Sequence, residues 1–465
     1  MIESIFYLTI TLIILFISSR LYIFSSNSSI FNLNIIHFSF WILILIAVIP
    51  SLITIMKVPL FNHNPLENPG VLGEWGGREI HVKAYLIIMW SMIAIPIGAL
   101  ICKLFVTKIF NITYINPLSI QEKFQTSQAE EIRDKRVSIV FIIFSFILLI
   151  QFISYGQSPL LIILNGGDLQ EILFNRSEYS SNIGIFNTIF NSDTVAFFMI
   201  FTGILAYRLN SGFYWNILII QFFIYVFLSA LGGSTGNIVF GLISLLILKN
   251  VITGKHLSIR AILFFFILVA SVFYIFKAQS IESINELVDY FFSRIIFTQI
   301  RGFYFALQLF PDQIPFLYFD TAGHWIHNIF SSNSSLDYGH LLMNEFDPIG
   351  VESGVAGHFT SVFYAEMWTN FGYYGVIFGP IWVGFIIFLV HVLVIKKNMS
   401  NLRLSIYIWL TFNGFGYLDA FIIYFYPVNI ITKLIGIMIA YLVTLLITAF
   451  FNKGKITLSN KNSNG

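Results

Sequence analysis

Apolar residues in this chain fall in long unbroken runs separated by short polar stretches. Runs such as VSIVFIIFSFILLI (137–150) and AILFFFILVASVFYIF (261–276) are apolar on every side. They show neither the alternation of a half-buried strand nor the single stripe of a surface helix. Crossing a hydrocarbon core of ~30 Å takes about 20 such residues in a helix. Eleven runs approach that length: roughly 4–24, 34–56, 83–105, 137–156, 187–208, 214–231, 236–252, 260–276, 371–395, 404–422 and 428–450. Helices are predicted because unpaired backbone amides cannot face lipid, and a barrel would instead show short alternating strands. The pattern therefore predicts an all-α polytopic membrane protein of about 11 transmembrane helices. It is read as a single integral membrane domain over 1–465, with one large outer loop between the eighth and ninth spans.

Composition agrees and narrows the function classes. Apolar residues make up 57% of the 465 and charged residues 10%, against about 25% charged in a soluble domain. That excludes a soluble globular protein, and the high hydrophobicity excludes disorder. The net charge of +2 gives no sign of a nucleic-acid partner; the lipid bilayer is the partner that the composition implies. The single cysteine, Cys102, excludes a disulfide framework, a thiolate zinc site and an iron–sulfur cluster.

Lys and Arg set direction, because they resist translocation. With 106–136 placed inside, 17 of the 25 basic residues fall on that side, and the alternation holds at each short loop. Eight fall outside: Lys57, Arg78, Lys83, Arg176, Lys277, Arg294, Arg301 and Lys433. Eleven spans then put residue 1 outside and the tail 453–465 inside. The first span lacks a basic n-region and a small-residue cleavage site, so no cleaved signal peptide is expected.

Polar residues collect in two outer loops. The smaller, 157–186, carries Asp168, Glu171, Arg176 and Glu178. The larger, 277–370, holds ten of the 23 carboxylates and four of the nine histidines, His324, His327, His340 and His358. Loops this long without a role are uncommon. Carboxylates and neutral His can hydrogen-bond sugar hydroxyls and take a proton from one. Arg can hold phosphate in a bidentate way. Tyr318, Trp325, Tyr338 and Trp368 offer aromatic faces for sugar rings.

Within the larger loop, YFFSRIIFTQIRGFYF (290–305) places Arg294 and Arg301 seven apart. Two helical turns put them on one face, so a re-entrant or interfacial helix presenting two guanidiniums is predicted. His358 and Glu366 are eight apart, again roughly one helical face, and Glu366 stands where an ionisable group beside lipid is costly. Gly372, Gly375, Gly379 and Gly384 permit close backbone approach. His324/His327 and Glu345/Asp347 have no third ligand at a diagnostic interval, so no metal site is predicted. Asp193, Asp419 and Lys433 sit near the outer ends of spans, with a Lys433–Asp419 pair in view.

The arrangement resembles the oligosaccharide repeat-unit polymerases, the Wzy-type enzymes of O-antigen and capsular polysaccharide synthesis. The features that carry the resemblance are Glu366-Met-Trp-Thr-Asn-Phe-Gly-Tyr-Tyr-Gly375 leading into a span and the Arg294/Arg301 pair in the last large outer loop. Arg176 in a smaller preceding loop and the turn Gly232-Gly233-Ser234-Thr235-Gly236 add to it. The family turn often reads Gly-Ser-Arg-Gly, and here Thr235 stands in place of the arginine.

The resemblance implies a bacterial inner-membrane glycosyltransferase, without a cofactor, acting at the periplasmic face. Its substrate would be an undecaprenyl-pyrophosphate-linked oligosaccharide, and a chain-length regulator and a flippase would be its partners. The growing chain would pass from one lipid carrier to the next repeat unit. His358 or Glu366 would be the base, and Arg176, Arg294 and Arg301 would offset charge on the departing pyrophosphate. An O-antigen ligase using the same donor is the nearest alternative, and a non-enzymatic transporter of the lipid-linked sugar is another. No P-loop or dinucleotide fingerprint is present.

Overall fold

The computed structural model describes residues 2–56, 77–109, 128–154, 158–165, 192–231, 235–255, 293–321, 338–346, 348–352, 361–395, 399–416, 421–425 and 427–462, with isolated positions between. The described elements are helical, with no strand among the described residues. In chain order they are α1 (Ile2–Ser26), α2 (Ile35–Met56, with a π turn at Ile44–Val48), α3 (Gly77–Ile109) and α4 (Gln128–Ser154). There follow α5 (Pro159–Leu164), α6 (Ser192–Leu209), α7 (Gly212–Leu231), α8 (Thr235–Thr253) and α9 (Thr298–Leu309). The last are α10 (Tyr338–Phe346), α11 (Pro348–Glu352), α12 (Tyr364–Val394), α13 (Asn401–Asn413) and α14 (Val428–Asn462).

Among the described residues nine helices are long and apolar enough to cross a membrane: α1, α2, α3, α4, α6, α7, α8, α12 and α14. The chain is an all-α, multi-pass membrane protein. Two predicted runs are not among the nine. Most of 260–276 lies outside the described residues. The run 404–422 is helical only to Asn413, where Asn413, Gly414 and Gly416 interrupt the apolar sequence and the backbone turns irregular.

The chain divides into two compact units. One comprises 1–117, 273–394 and 414–427; the other comprises 118–272, 395–413 and 428–465.

In the first unit α3 and α12 cross with their backbones touching. A Cβ on Gly98 would lie 1.8 Å from the Ile381 carbonyl oxygen, and one on Gly384 would lie 1.9 Å from that of Ile95. Small residues at such a crossing are what close packing between membrane helices demands. The Trp90 indole N–H donates to the Ile377 carbonyl at 3.1 Å on the same pair. α1 joins α3 through Ser18, whose hydroxyl donates to the Met92 carbonyl at 2.5 Å, and through Thr11 and Tyr85, 2.8 Å apart. The α1–α2 joint is polar and satisfied. Asn34 caps α2 by accepting the His37 N–H at 2.8 Å, and the His37 ring lies 2.8 Å from the Asn32 carbonyl and 2.7 Å from the Ser26 hydroxyl.

In the second unit α6 is the central helix, buried continuously from Thr194 to Ala206. Phe141 of α4 stacks on Phe198 with centroids 3.7 Å apart, and Phe201 and Tyr441 close the cluster. Charges are confined to the two ends of α6. At its start Asp193 pairs with Lys433 at 2.8 Å, so the partner of Lys433 is Asp193; Asp419 lies outside the described residues. At its end Arg208 donates to the Asn401 side-chain oxygen, while the Asn401 amide donates to buried Asp134 at 2.7 Å. A carboxylate at the helix start and a guanidinium at its end both suit the helix dipole.

Candidate functional site

A dense polar constellation lies in the first unit, around Glu366. α12 begins at Tyr364, so Glu366 sits in its first turn, where a carboxylate is favoured by the helix dipole. The helix is broken at Gly372, which has φ 54° and ψ −132°. A Cβ there would come within 2.5 Å of the Phe316 ring, so the position requires glycine both for its backbone and for its space. The break leaves a short helical segment, 364–371, whose last carbonyls need other partners. The stretch 317–319 supplies them: the Leu317 N–H donates to the Thr369 carbonyl at 2.8 Å and the Tyr318 N–H to the Asn370 carbonyl at 3.2 Å.

Glu366 is 2% exposed. One carboxylate oxygen accepts the Ile422 backbone N–H at 2.8 Å, and the other accepts the Thr321 hydroxyl at 3.3 Å. One turn on, the Asn370 amide donates to the Thr321 hydroxyl at 2.9 Å and to the Glu366 carbonyl at 2.8 Å. The Asn370 side-chain oxygen accepts the Phe319 N–H at 3.0 Å. The Phe363 N–H donates to the Leu418 carbonyl at 3.0 Å. One carboxylate and one amide thus tie the start of α12 to the stretch 317–321 and to Ile422. Three non-glycine residues here adopt positive φ: Tyr318 (39°), Phe319 (73°) and Leu418 (63°). Strained backbone of this kind persists only where its surroundings over-determine it.

Arg301 lies on α9, preceded by a π turn at Ser293–Phe297. Its guanidinium carbon is 5.1 Å from the Phe305 ring centroid and 5.2 Å from that of Phe359. α9 is joined to the approach to α12 by the Val362 N–H donating to the Gln299 carbonyl at 3.0 Å and by Phe303 against Tyr364 at 5.2 Å. α9 is buried along most of its length, so it is an internal helix of this unit rather than one lying at an interface. Burial pushes the Tyr304 phenol above its ordinary range.

The remaining predicted residues fare unequally. Arg294 stands in the π turn, which alters the two-turn alignment expected with Arg301, and its side chain lies outside the described residues. Arg176, His324, His327 and His358 also lie outside them. The helix that carries Glu366 begins only at Tyr364, and Ser361 and Val362 before it are not helical. Of the aromatic faces proposed for sugars, Tyr318 is 66% exposed, whereas Tyr338 and Trp368 are buried. Tyr338 pairs with Ser361 at 3.2 Å, and the Trp368 indole donates to the Phe310 carbonyl at 3.1 Å.

Three contributors carry no mark in the sequence: Thr321, Asn370 and Lys83. Thr321 and Asn370 are ordinary polar residues in a polar loop, and no spacing marks them. Lys83, counted only as an outer base, sits over the Trp368 ring at 3.9 Å and near Tyr373 at 5.1 Å. The available signal was an ammonium one and a half turns inside an apolar helix.

No protein-family model matches the chain, and no curated protein or solved structure shows significant similarity to it.

Proposed function

We propose that the protein is a repeat-unit polymerase of the Wzy type, a glycosyltransferase acting on undecaprenyl-pyrophosphate-linked oligosaccharides at the periplasmic face of the bacterial inner membrane. The observation that carries this reading is Arg301, a guanidinium seated between Phe305 and Phe359 on a helix bonded to the segment that leads into Glu366. A cation held in place beside a large polar loop suits a leaving group that gains charge as it departs. In this reaction an acceptor hydroxyl attacks the anomeric carbon of the donor chain. The new glycosidic C–O bond forms as the bond to pyrophosphate breaks, and the hydroxyl proton passes to a base. His358 is the base in this reading, because both oxygens of Glu366 are already engaged by protein donors. Glu366 then holds the site together, and Arg176 and Arg294 join Arg301 on the pyrophosphate.

A specific observation favours a second reading. Helix breaks at Gly372 and after Asn413, flanking a buried carboxylate, are a feature of transporters that bind at unwound segments. That reading makes the chain a carrier of the lipid-linked sugar.

The glycan banding of a deletion strain separates the readings. A lost ladder with one capped repeat unit remaining supports the polymerase. Lipid-linked polymer accumulating uncapped indicates a ligase, and absence of any repeat unit at the outer face indicates the transporter. Within the polymerase reading, Arg301→Ala is expected to abolish long polymer while single units still reach the surface. Long chains in that variant would remove Arg301 from the reaction.

A further inference from the structure

Lys83 is an ammonium held by rings and, among the described residues, met by no anion. It lies in α3, with its Nζ 3.9 Å from the Trp368 centroid and 5.1 Å from that of Tyr373. Among the described residues no carboxylate or hydrogen-bond acceptor reaches it. Glu79, one turn earlier on the same helix, forms no ion pair with it, and the nearby Arg78 is taken by Glu3. A lysine that merely snorkels extends its head into water. This one is folded against the ring of a tryptophan that is fully buried.

The seat is produced by the helix break. Trp368 and Tyr373 are five residues apart, and in an unbroken helix they would point about 140° away from each other. The turn at Gly372 instead brings their rings edge to face, 5.1 Å between centroids. Tyr373 is 63% exposed, so the corner is open on its side. Aromatic faces hold a cation in position but accept none of its three N–H donors in the way an anion does.

We propose that Lys83, Trp368 and Tyr373 form an anion seat for a phosphate group carried on a lipid. The rings fix the ammonium, and its free donors bind phosphate oxygens. The phosphate can come from a phospholipid headgroup or from a prenyl pyrophosphate, and the chemistry of recognition is the same. This inference does not depend on the transferase reading.

The test uses the full-length protein in a neutral detergent, with binding followed by native mass spectrometry. The probes are farnesyl pyrophosphate, farnesol and dioctanoylphosphatidic acid. Farnesyl pyrophosphate is expected to bind at least about tenfold more tightly than farnesol, the range of a charge-assisted hydrogen bond. Lys83→Met should remove that difference, and Lys83→Arg should keep most of it. Lys108→Met, at the far end of the same helix, should change nothing. Tyr373→Leu, at an exposed position, should weaken binding by about threefold and carries the test if Lys83→Met does not assemble. Lys83-dependent binding of phosphatidic acid as well identifies a general lipid phosphate; binding of farnesyl pyrophosphate alone identifies the prenyl carrier. Equal affinity in wild type and Lys83→Met overturns the proposal, as does an equal loss in Lys108→Met. With Lys83→Met unassembled, unchanged affinity in Tyr373→Leu overturns it too. Polymer ladders from cells carrying Lys83→Met report separately on the transferase reading.

Discussion

The two compact units satisfy their polar groups in opposite ways. The second keeps its central helix α6 unbroken, fills the space around it with Phe141, Phe198, Phe201 and Tyr441, and confines charge to the helix ends. The first carries a π turn in α2 and a break of α12 at Gly372, and around that break side chains and neighbouring amides meet the groups set free. Irregular backbone inside a membrane protein is tolerable only where protein groups replace the lost hydrogen bonds. Glu366, Asn370 and Thr321 are those groups. The difference teaches where a site can be built: a continuous helix has its amides committed, whereas a broken one frees amides, carbonyls and polar side chains to be arranged.

The sharpest way to break this contrast is at the crossing that supports the first unit. Gly98→Leu forces α3 and α12 apart where their backbones touch, and is expected to cost about 3 kcal/mol. The measurement is the thermal midpoint of the purified protein; a midpoint equal to wild type would mean that the crossing is loose.

Next comes the joint itself. Glu366→Ala leaves the Ile422 N–H without its acceptor and takes one of the two partners of the Thr321 hydroxyl, and should cost about 2–3 kcal/mol. Glu366→Gln keeps an acceptor and should recover more than half of that loss. An alanine variant as stable as wild type would show that the carboxylate does not hold this joint together.

The corresponding test in the second unit is smaller. Asp134→Ala removes the acceptor of the buried Asn401 amide but leaves the aromatic core intact, so about 1–2 kcal/mol is expected. A larger loss than Glu366→Ala causes would reverse the comparison between the units. The smallest effect belongs to Lys433→Ala. Its ion pair with Asp193 has a lysine side chain that is 44% exposed, and such pairs contribute under about 1 kcal/mol.

Much of the fold was legible in the chain, because uninterrupted apolar runs leave the backbone no partner but itself. The spans at α1, α2, α3, α4, α6, α7, α8, α12 and α14 follow from that rule. The close-packing role expected of Gly384 is met at the α3–α12 crossing, with Gly98 as a counterpart that no pattern had marked. The site was legible only in outline. Glu366 stood out as an ionisable group beside an apolar run, but the donors around it come from residues 45 and 56 positions away, at Thr321 and Ile422. The spacing of Arg294 and Arg301 matches one face of an α-helix, and a π turn at Ser293–Phe297 changes that geometry.

By itself the sequence determined that this chain lives in a bilayer as helices, since that follows from local composition and the cost of exposing unpaired backbone to lipid. Only the tertiary structure decided where those helices break and which side chains meet at the breaks. Gly372 alone does not announce that Trp368 and Tyr373 will close on Lys83, or that Glu366 will reach Ile422. Those contacts depend on segments remote in the chain meeting in space, where hydrogen bonds that one helix gives up are supplied by another.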